Sequence, residues 1–357
     1  MREARQTAKQ ITIRQVAQES GVSSATVSYV LNGKKRISPE TKARVLAAVE
    51  RLDYVPNINA RSLSTRNSFL IGVLIPQTEP GNHLMFENPF YSEMLSAIEY
   101  EARIHGYRLL VAGVDIGKPY LNMARERNLD GIIAIGVYQD TFYRQVVQSG
   151  IPLVLVDSYS DDTRCHNIRI DDTDGAYLAL HYLLDRGHRD IAFFCGSLRD
   201  NGVMKKRLDG YRRALEERGI PYDKEKIIEG NVDFENGIIL ARRLLEAKLP
   251  ASAVFAAADI LAIGAMKAFY DAGLRVPHDI SIMGFDDIKF SRYICPGLTT
   301  VRQDISLKSK RAIELLVENI KNPHLTKREE ILPVSIVERG SVRALSGKEE
   351  KMIYSSA

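Results

Sequence analysis

Residues 21–34 read GVSSATVSYVLNGK. The hydroxyls of Ser23, Ser24, Thr26 and Ser28 and the phenol of Tyr29 alternate with aliphatic positions, and Lys34, Lys35 and Arg36 follow at once. Small hydroxyls both donate and accept hydrogen bonds, and cations attract phosphates, so this stretch suits a helix pushed into a phosphate-lined groove. Other stretches of chemical interest fail on their spacing. GVDIGKP (113–119) is one residue short of a phosphate loop and has Pro119 where Ser or Thr is required. IDDTDG (170–175) lacks the first acid of a calcium loop and places His181 at the twelfth position. His181 and His188 have no Cys or acid at ligand spacing and read as ordinary surface or core histidines. Cys165, Cys195 and Cys295 form neither a disulfide framework nor a CxxC pair and read as buried or idle thiols. GxSxG is absent, no acid–base pair is arranged for catalysis, and neither a metal nor a cofactor is expected.

The charge distribution sharpens this reading. Residues 1–66 hold 12 Lys and Arg against 5 Asp and Glu, which leaves 37 against 40 for the rest of the chain. A basic head on a slightly acidic body points to a polyanion as the head's partner. The absence of a long apolar run excludes a membrane helix, and a charged N-terminus without an apolar h-region argues against secretion. A cytoplasmic location is therefore expected.

Elements that would position these residues follow from periodicity. Ile13, Val16 and Ala17 fall on one helix face, with Thr12 as N-cap and Gly21 as stop. A second helix over 24–31 would bury Val27, Val30 and Leu31, ending at Asn32-Gly33. Ser38-Pro39-Glu40 opens a third, which would bury Val45, Leu46, Val49 and Leu52. Helix, short turn, helix and a supporting helix make a helix-turn-helix head over 11–54. Residues 55–68 read either as a linker or as a short helix that folds on a complementary surface. From Phe69 onward, apolar strands at 70–75, 108–112, 131–135, 153–156, 191–194, 253–256 and 280–285 alternate with helical patterns at 91–105, 175–186 and 259–272. This is an α/β body built on two parallel sheets, with ligands expected just after the strands.

Together these stretches resemble the lac-repressor (LacI/GalR) family of bacterial transcription regulators. The resemblance rests on ITIRQVAQESGVSSATVSYVLNG, ISPETKARVLAAVERLDYVPN and NARSL in the head. In the body it rests on IGVLIP, NPFY, DGII, HYLLDRGHRDIAF, RLDGYRRAL, AVFAAADILAIGAMKA, GLRVPHDISIMGFDD and PGLTTVRQD. It implies an all-α helix-turn-helix head joined to a two-lobed, periplasmic-binding-protein-like body of two parallel-sheet α/β subdomains. The body would span 69–343, with lobe one at about 69–157 and 297–325, lobe two at about 158–294 and 326–343, and a tail at 344–357.

The resemblance also implies roles for residues. Ser24, Ala25 and Tyr29 match the positions that meet base edges, while Thr12, Ser23, Thr26, Ser28, Asn32 and Lys34 join the DNA-binding set. Tyr29 stands where many relatives have Arg, so it either reads a base through one hydroxyl or packs on the sugar-phosphate backbone. Asn57, Ala60, Ser62 and Leu63 match a hinge helix and Arg61 joins the DNA-binding set, with Leu63 as the wedge in the minor groove of a pseudo-palindromic operator bound by a homodimer. Effector contacts are implied at Phe90, Tyr91, Arg207 and Asp286, with Asp157 and Gln303 beside them. Carboxylates accept from hydroxyls, a guanidinium donates to adjacent oxygens and an aromatic ring covers an apolar sugar face, so a sugar or glycoside effector is expected. Phe90 and Tyr91 also read as packing, and Asp286 as a cap. Ala258 replaces a common Asn, and Val232 stands where relatives often have an aromatic residue that Phe234 would substitute. A repressor of carbohydrate-utilisation genes is the leading expectation, with control by a protein corepressor as the alternative. The tail shows no leucine heptads, so a dimer rather than a tetramer is expected.

Overall fold

The computed structural model describes residues 11–32, 37–54, 67–77, 88–115, 124, 126–136, 140–159, 165–200 and 202–345. The chain divides into two compact units, Met1–Ser68 and Phe69–Ala357. Among the described residues, no helix is long and apolar enough to cross a membrane.

Three helices make up the first unit: α1 (Ile13–Ser20), α2 (Ser24–Asn32) and α3 (Pro39–Arg51). Local chemistry sets their ends. Gln15 Oε1 accepts from the Thr12 backbone N–H at 2.8 Å, closing the start of α1. Gly21 terminates that helix in the left-handed region, with φ 64°. Ser38 accepts from the Thr41 N–H at 3.3 Å, and Pro39 supplies the preset φ of the first turn of α3. Val16, Ala17, Val27, Val45, Ala48 and Tyr54 are buried between the helices. Leu46 departs from expectation: it is 46% exposed, because α3 turns Val45 and Ala48 inward and leaves its neighbour on the rim.

The second unit holds two six-stranded sheets. The first is built from β1 (Leu70–Gln77), β2 (Arg108–Asp115), β3 (Gly131–Ile135), β4 (Leu153–Val156), β5 (His166–Ile170) and β11 (Glu329–Leu332), in the order β11-β5-β4-β3-β1-β2. The second holds β6 (Ile191–Cys195), β7 (Ile227–Glu229), β8 (Ala253–Ala256), β9 (Ser281–Asp286), β10 (Thr299–Gln303) and β12 (Val334–Val337), in the order β12-β10-β9-β8-β6-β7. All neighbours are parallel except β10 and β12. Helices α4 (Pro89–Ile104) and α10 (Ile305–Lys321) bury their apolar sides on one face of the first sheet, and α5 (Asp140–Ser149) covers the other. On the second sheet, α6 (Asp172–Asp185) and α7 (Val203–Glu217) cover one face, and α8 (Phe234–Glu246) and α9 (Asp259–Asp271) the other. Cover on both faces explains why β3, β4, β6 and β8 are buried at every residue.

The chain passes between the sheets three times: after β5, after β10, and between β11 and β12. This corrects the expected lobe limits. β5 pairs with β4, so the first lobe continues to Ile170 rather than stopping at 157. β10 pairs with β9 and belongs to the second lobe, so 297–325 returns to the first only at α10. β11 pairs with β5, which removes 329–332 from the second lobe. These strands are short and carry polar residues, so backbone register rather than an apolar run assigns them.

Candidate functional site

In the head, the start of α2 is locked by the hydroxyls of Ser23, the residue before it, and Thr26 in its first turn. Ser23 Oγ accepts from the Thr26 N–H at 3.1 Å and lies 2.9 Å from Thr26 Oγ1. Val27 is buried against the neighbouring helices, which fixes the rotation of α2. Ser23 and Ala25 are then exposed, and Ser24, Thr26, Ser28 and Tyr29 half-buried. Thr12, exposed at the cap of α1, and Asn32, the last residue of α2, complete the described part of the expected DNA-binding set. Lys34, Asn57, Ala60, Arg61, Ser62 and Leu63 lie outside the described residues, as do Lys35 and Arg36.

In the body, polar side chains converge at the carboxyl ends of the strands. Asp157 follows β4, Asp286 ends β9, Gln303 ends β10, Asp172 opens α6 after β5, Arg207 lies on α7 and Lys308 on α10. They form a chain of hydrogen bonds. Lys308 Nζ donates to Asp157 Oδ1 at 2.5 Å and also to Gln303 Oε1. Gln303 Nε2 donates to Asp286 Oδ1 at 2.6 Å, and Arg207 Nη1 reaches the same oxygen at 3.4 Å. Arg207 Nε donates to Asp172 Oδ1 at 2.8 Å, and Nη1 to the Ala257 carbonyl. Tyr159 donates its phenolic hydrogen to Asp172 Oδ2 at 2.8 Å. Because Tyr159 is two residues from Asp157, the backbone closes these bonds into a ring that draws on both lobes.

Burial makes the ring's internal pairing obligatory. Asp172 and Lys308 are inaccessible, and Asp157, Arg207, Asp286 and Gln303 are nearly so. An unpaired charge at such depth is strongly unfavourable, and each charged group here meets an opposite charge. Burial pushes the Asp286 carboxyl up to about 6, against the pull of Arg207 and the Gln303 hydrogen bond. Burial also raises Asp157, with Lys308 pulling it back. The Asp286 backbone has φ 120°, a conformation an L residue holds only when its surroundings fix it, and Asp157 is left-handed at φ 54°. The Phe285 ring carries the Arg207 guanidinium at 3.7 Å, and the Lys308 ammonium lies 6.0 Å from the Phe90 ring. Such a site offers donors and acceptors side by side, which suits hydroxyl-rich ligands rather than bond-breaking chemistry.

Two family models match the chain. Residues 12–57 match the bacterial regulatory proteins of the lacI family, and residues 180–342 a periplasmic binding protein-like domain. The HTH-type transcriptional repressor PurR of Vibrio atlanticus (strain LGP32) is 34% identical over 341 residues, covering 94% of this chain and 99% of its own. The chain belongs to the lacI family. Among solved structures, the lac repressor dimer bound to operator and the anti-inducer ONPF superposes on this lacI-family chain with a TM-score of 0.80 at 29% identity, covering 94% of this chain and 100% of its own. The complex of the regulator CelR with cellobiose superposes with a TM-score of 0.69 at 26% identity, covering 93% and 100%. The protein is thus a DNA-binding transcriptional regulator of the lacI family and not an enzyme.

Within this lacI-family body, the structure joins Asp157, Arg207, Asp286 and Gln303 in one ring and sets Phe90 at its edge. Asn88 caps α4 by accepting from the Phe90 N–H at 3.0 Å, and the Phe90 and Tyr91 rings meet edge to face at 5.2 Å. Asp286 caps no helix: both of its side-chain bonds are to Arg207 and Gln303. Ala258 occupies the N-cap of α9 without a side-chain bond. Val232 packs over Gly196, while Phe234, the first residue of α8, is half-buried. Lys308, Asp172 and Tyr159 were missed at the sequence level. Asp172 stood inside the rejected calcium-loop stretch, and Lys308 sits one helical turn after Ile305, on its buried face. His188, buried, has Ser252 Oγ and the Arg343 carbonyl each 3.0 Å from its ring nitrogens, and exposed Glu217 lies 3.3 Å from His181.

Proposed function

We propose that this protein represses carbohydrate-utilisation genes as a homodimer on a pseudo-palindromic operator, and that a sugar or glycoside bound between the two lobes of each body modulates its operator affinity. The head over 11–54 places α2 in the major groove, with Ser24, Ala25 and Tyr29 toward base edges, and 55–68 serves as the hinge in the minor groove. Its place of action is the bacterial cytoplasm, at the nucleoid when operator-bound.

The observation that carries this reading is the buried ring. A guanidinium, an ammonium, an amide and three carboxylates from both lobes meet at strand carboxyl ends, where open α/β sheets take their ligands. Asp157, Arg207, Asp286 and Gln303, which keep a small exposed surface, are the members a polyol can meet with hydrogen bonds, while Asp172 and Lys308 hold them from behind and Phe90 offers an aromatic edge beside them. The cellobiose carried by CelR supports a sugar over a purine. A ligand seated there acts only through its differential affinity for the DNA-bound and DNA-free lobe arrangements.

The test has two arms. Selection from a random DNA pool by ligand-free protein should enrich a pseudo-palindrome with a fixed central step. Calorimetry against cellobiose, ribose and hypoxanthine should then give heat with a sugar and none with the purine. Failure to enrich any sequence, or binding of hypoxanthine alone, overturns the proposal.

A further inference from the structure

Lys308 is the one lysine among the buried polar residues of the described chain. It lies in the first turn of α10, immediately after the second passage between the sheets, so it stands on the first lobe and faces the end of a second-lobe strand. Its ammonium has two partners of different kinds. One is the carboxylate of Asp157, at 2.5 Å; the other is the carbonyl end of the Gln303 amide. The second contact decides an ambiguity. A primary amide can present either its oxygen or its nitrogen to a neighbour, and an ammonium is a donor only. With Lys308 on Oε1, Gln303 must turn Nε2 to Asp286, as it does at 2.6 Å.

We propose that Lys308 is the positioning residue of the effector site: it fixes the orientation of the Gln303 amide and thereby holds Asp286 as an ionised acceptor for a ligand hydroxyl. The proposal rests on the effector reading for its biological use, and its test does not need the ligand. Without the ammonium, Gln303 is free to turn its oxygen toward Asp286, where two acceptors would repel. Asp286 would relieve that repulsion by taking up a proton. The charged and titratable groups facing Asp286 are Arg207 from α7, Lys308 from α10 and Asp172 from α6, with Asp259 of α9 alongside; Gln303 of β10 is the polar neighbour. Arg207, Lys308 and Gln303 favour its charged form and the two acids oppose it, so the loss of Lys308 moves the balance one way only. Asp157, which faces Lys308, Asp172 and Arg207, moves in the same direction.

The experiment is a carbon-13 titration of the side-chain carboxyls in the ligand-free, full-length dimer labelled at aspartate, with the Asp286 resonance assigned by its loss in Asp286→Asn. In wild type its midpoint should lie near 6. Lys308→Met, close to lysine in shape, should raise the proton affinity of Asp286 by about tenfold or more, and Lys308→Arg should restore most of it. An unchanged midpoint in folded Lys308→Met overturns the proposal. If that variant fails to fold, Asp157→Asn with Lys308→Met removes both charges of the pair, and the same shift is required of it. Cellobiose binding is measured separately on wild type: a shifted midpoint with no sugar bound would retain the positioning role and reject the effector class.

Discussion

Asp286 carries two unfavourable features, a backbone at φ 120° and a buried carboxyl. The pH dependence of stability is the direct way to read the second. Its carboxyl is pushed up to about 6 in the folded chain, above the unfolded value of about 3.9, so the folded state holds its proton more firmly. The stability this group contributes is fully present below pH about 4 and is lost as pH rises through about 6. Asp157 and Asp259 act in the same direction. His166 and His188, lowered to about 4 by burial, act in the opposite one: their contribution is present above pH about 6.5 and lost as pH falls. Comparing wild type with Asp286→Asn isolates the carboxyl. Wild type should gain roughly 3 kcal/mol on the variant between pH about 8 and pH about 4 in urea unfolding; a constant difference would refute it. Residue chemistry was partly legible in the sequence. Arg207 and Asp286 came from family motifs, but Lys308 shares the stretch ISLKSKRA with Lys310 and exposed Leu307. Residue type hides which lysine is buried, whereas the spacing of Ile305, Lys308, Ser309 and Ala312 reveals it.

Among elements, the head helices show how much stop and start signals carry. Gly21 ends α1 at φ 64°, and a Cβ built there meets nothing within 4 Å. Substitution by alanine is therefore a clean conformational test. Gly21→Ala should lower stability by about 1 kcal/mol, and Gly21→Asn by less, because asparagine tolerates the left-handed region. Chemical unfolding followed by helix circular dichroism reads both; equal losses for the two variants would refute the conformational account. The same capping logic made α1, α2 and α3 legible from Thr12, Gly21 and the Ser38-Pro39 pair. Seven body strands were legible too, through their apolar runs, which lie largely buried between helices except in β2, an edge strand whose Val111 is exposed. β5, β7, β10, β11 and β12 were not. β5 reads HNIRI and buries His166 and Asn167, and β11 reads EEIL with its acids at a sheet edge. Backbone pairing holds such strands in the sheet, and an apolar pattern has nothing to report there.

For the whole molecule, charge is the feature with the widest reach. The net charge of +4 comes from a basic head on a body with more acids than bases. On the proposed operator, each basic residue that neutralises a phosphate releases a counterion, so the logarithm of affinity should fall linearly with the logarithm of salt. With the heads of two copies engaged, affinity for the selected site should drop by about 10³ or more between 50 and 200 mM salt. Fluorescence anisotropy on a labelled duplex measures this; a flat response would mean that the basic residues do not meet phosphates.

The three passages of the chain between the sheets also govern how the body is made. The last strand of the first sheet, β11, pairs with β5 through contacts such as Asn167 with Glu329. On a ribosome the second lobe is almost entirely synthesised before that partner emerges. Until then the β5 edge is an unpaired template for another chain. Neither sheet is a segment that can finish folding and wait for the other. The body becomes whole only as its last strands arrive, so early termination before β11 would leave a chain prone to aggregation rather than a smaller working domain.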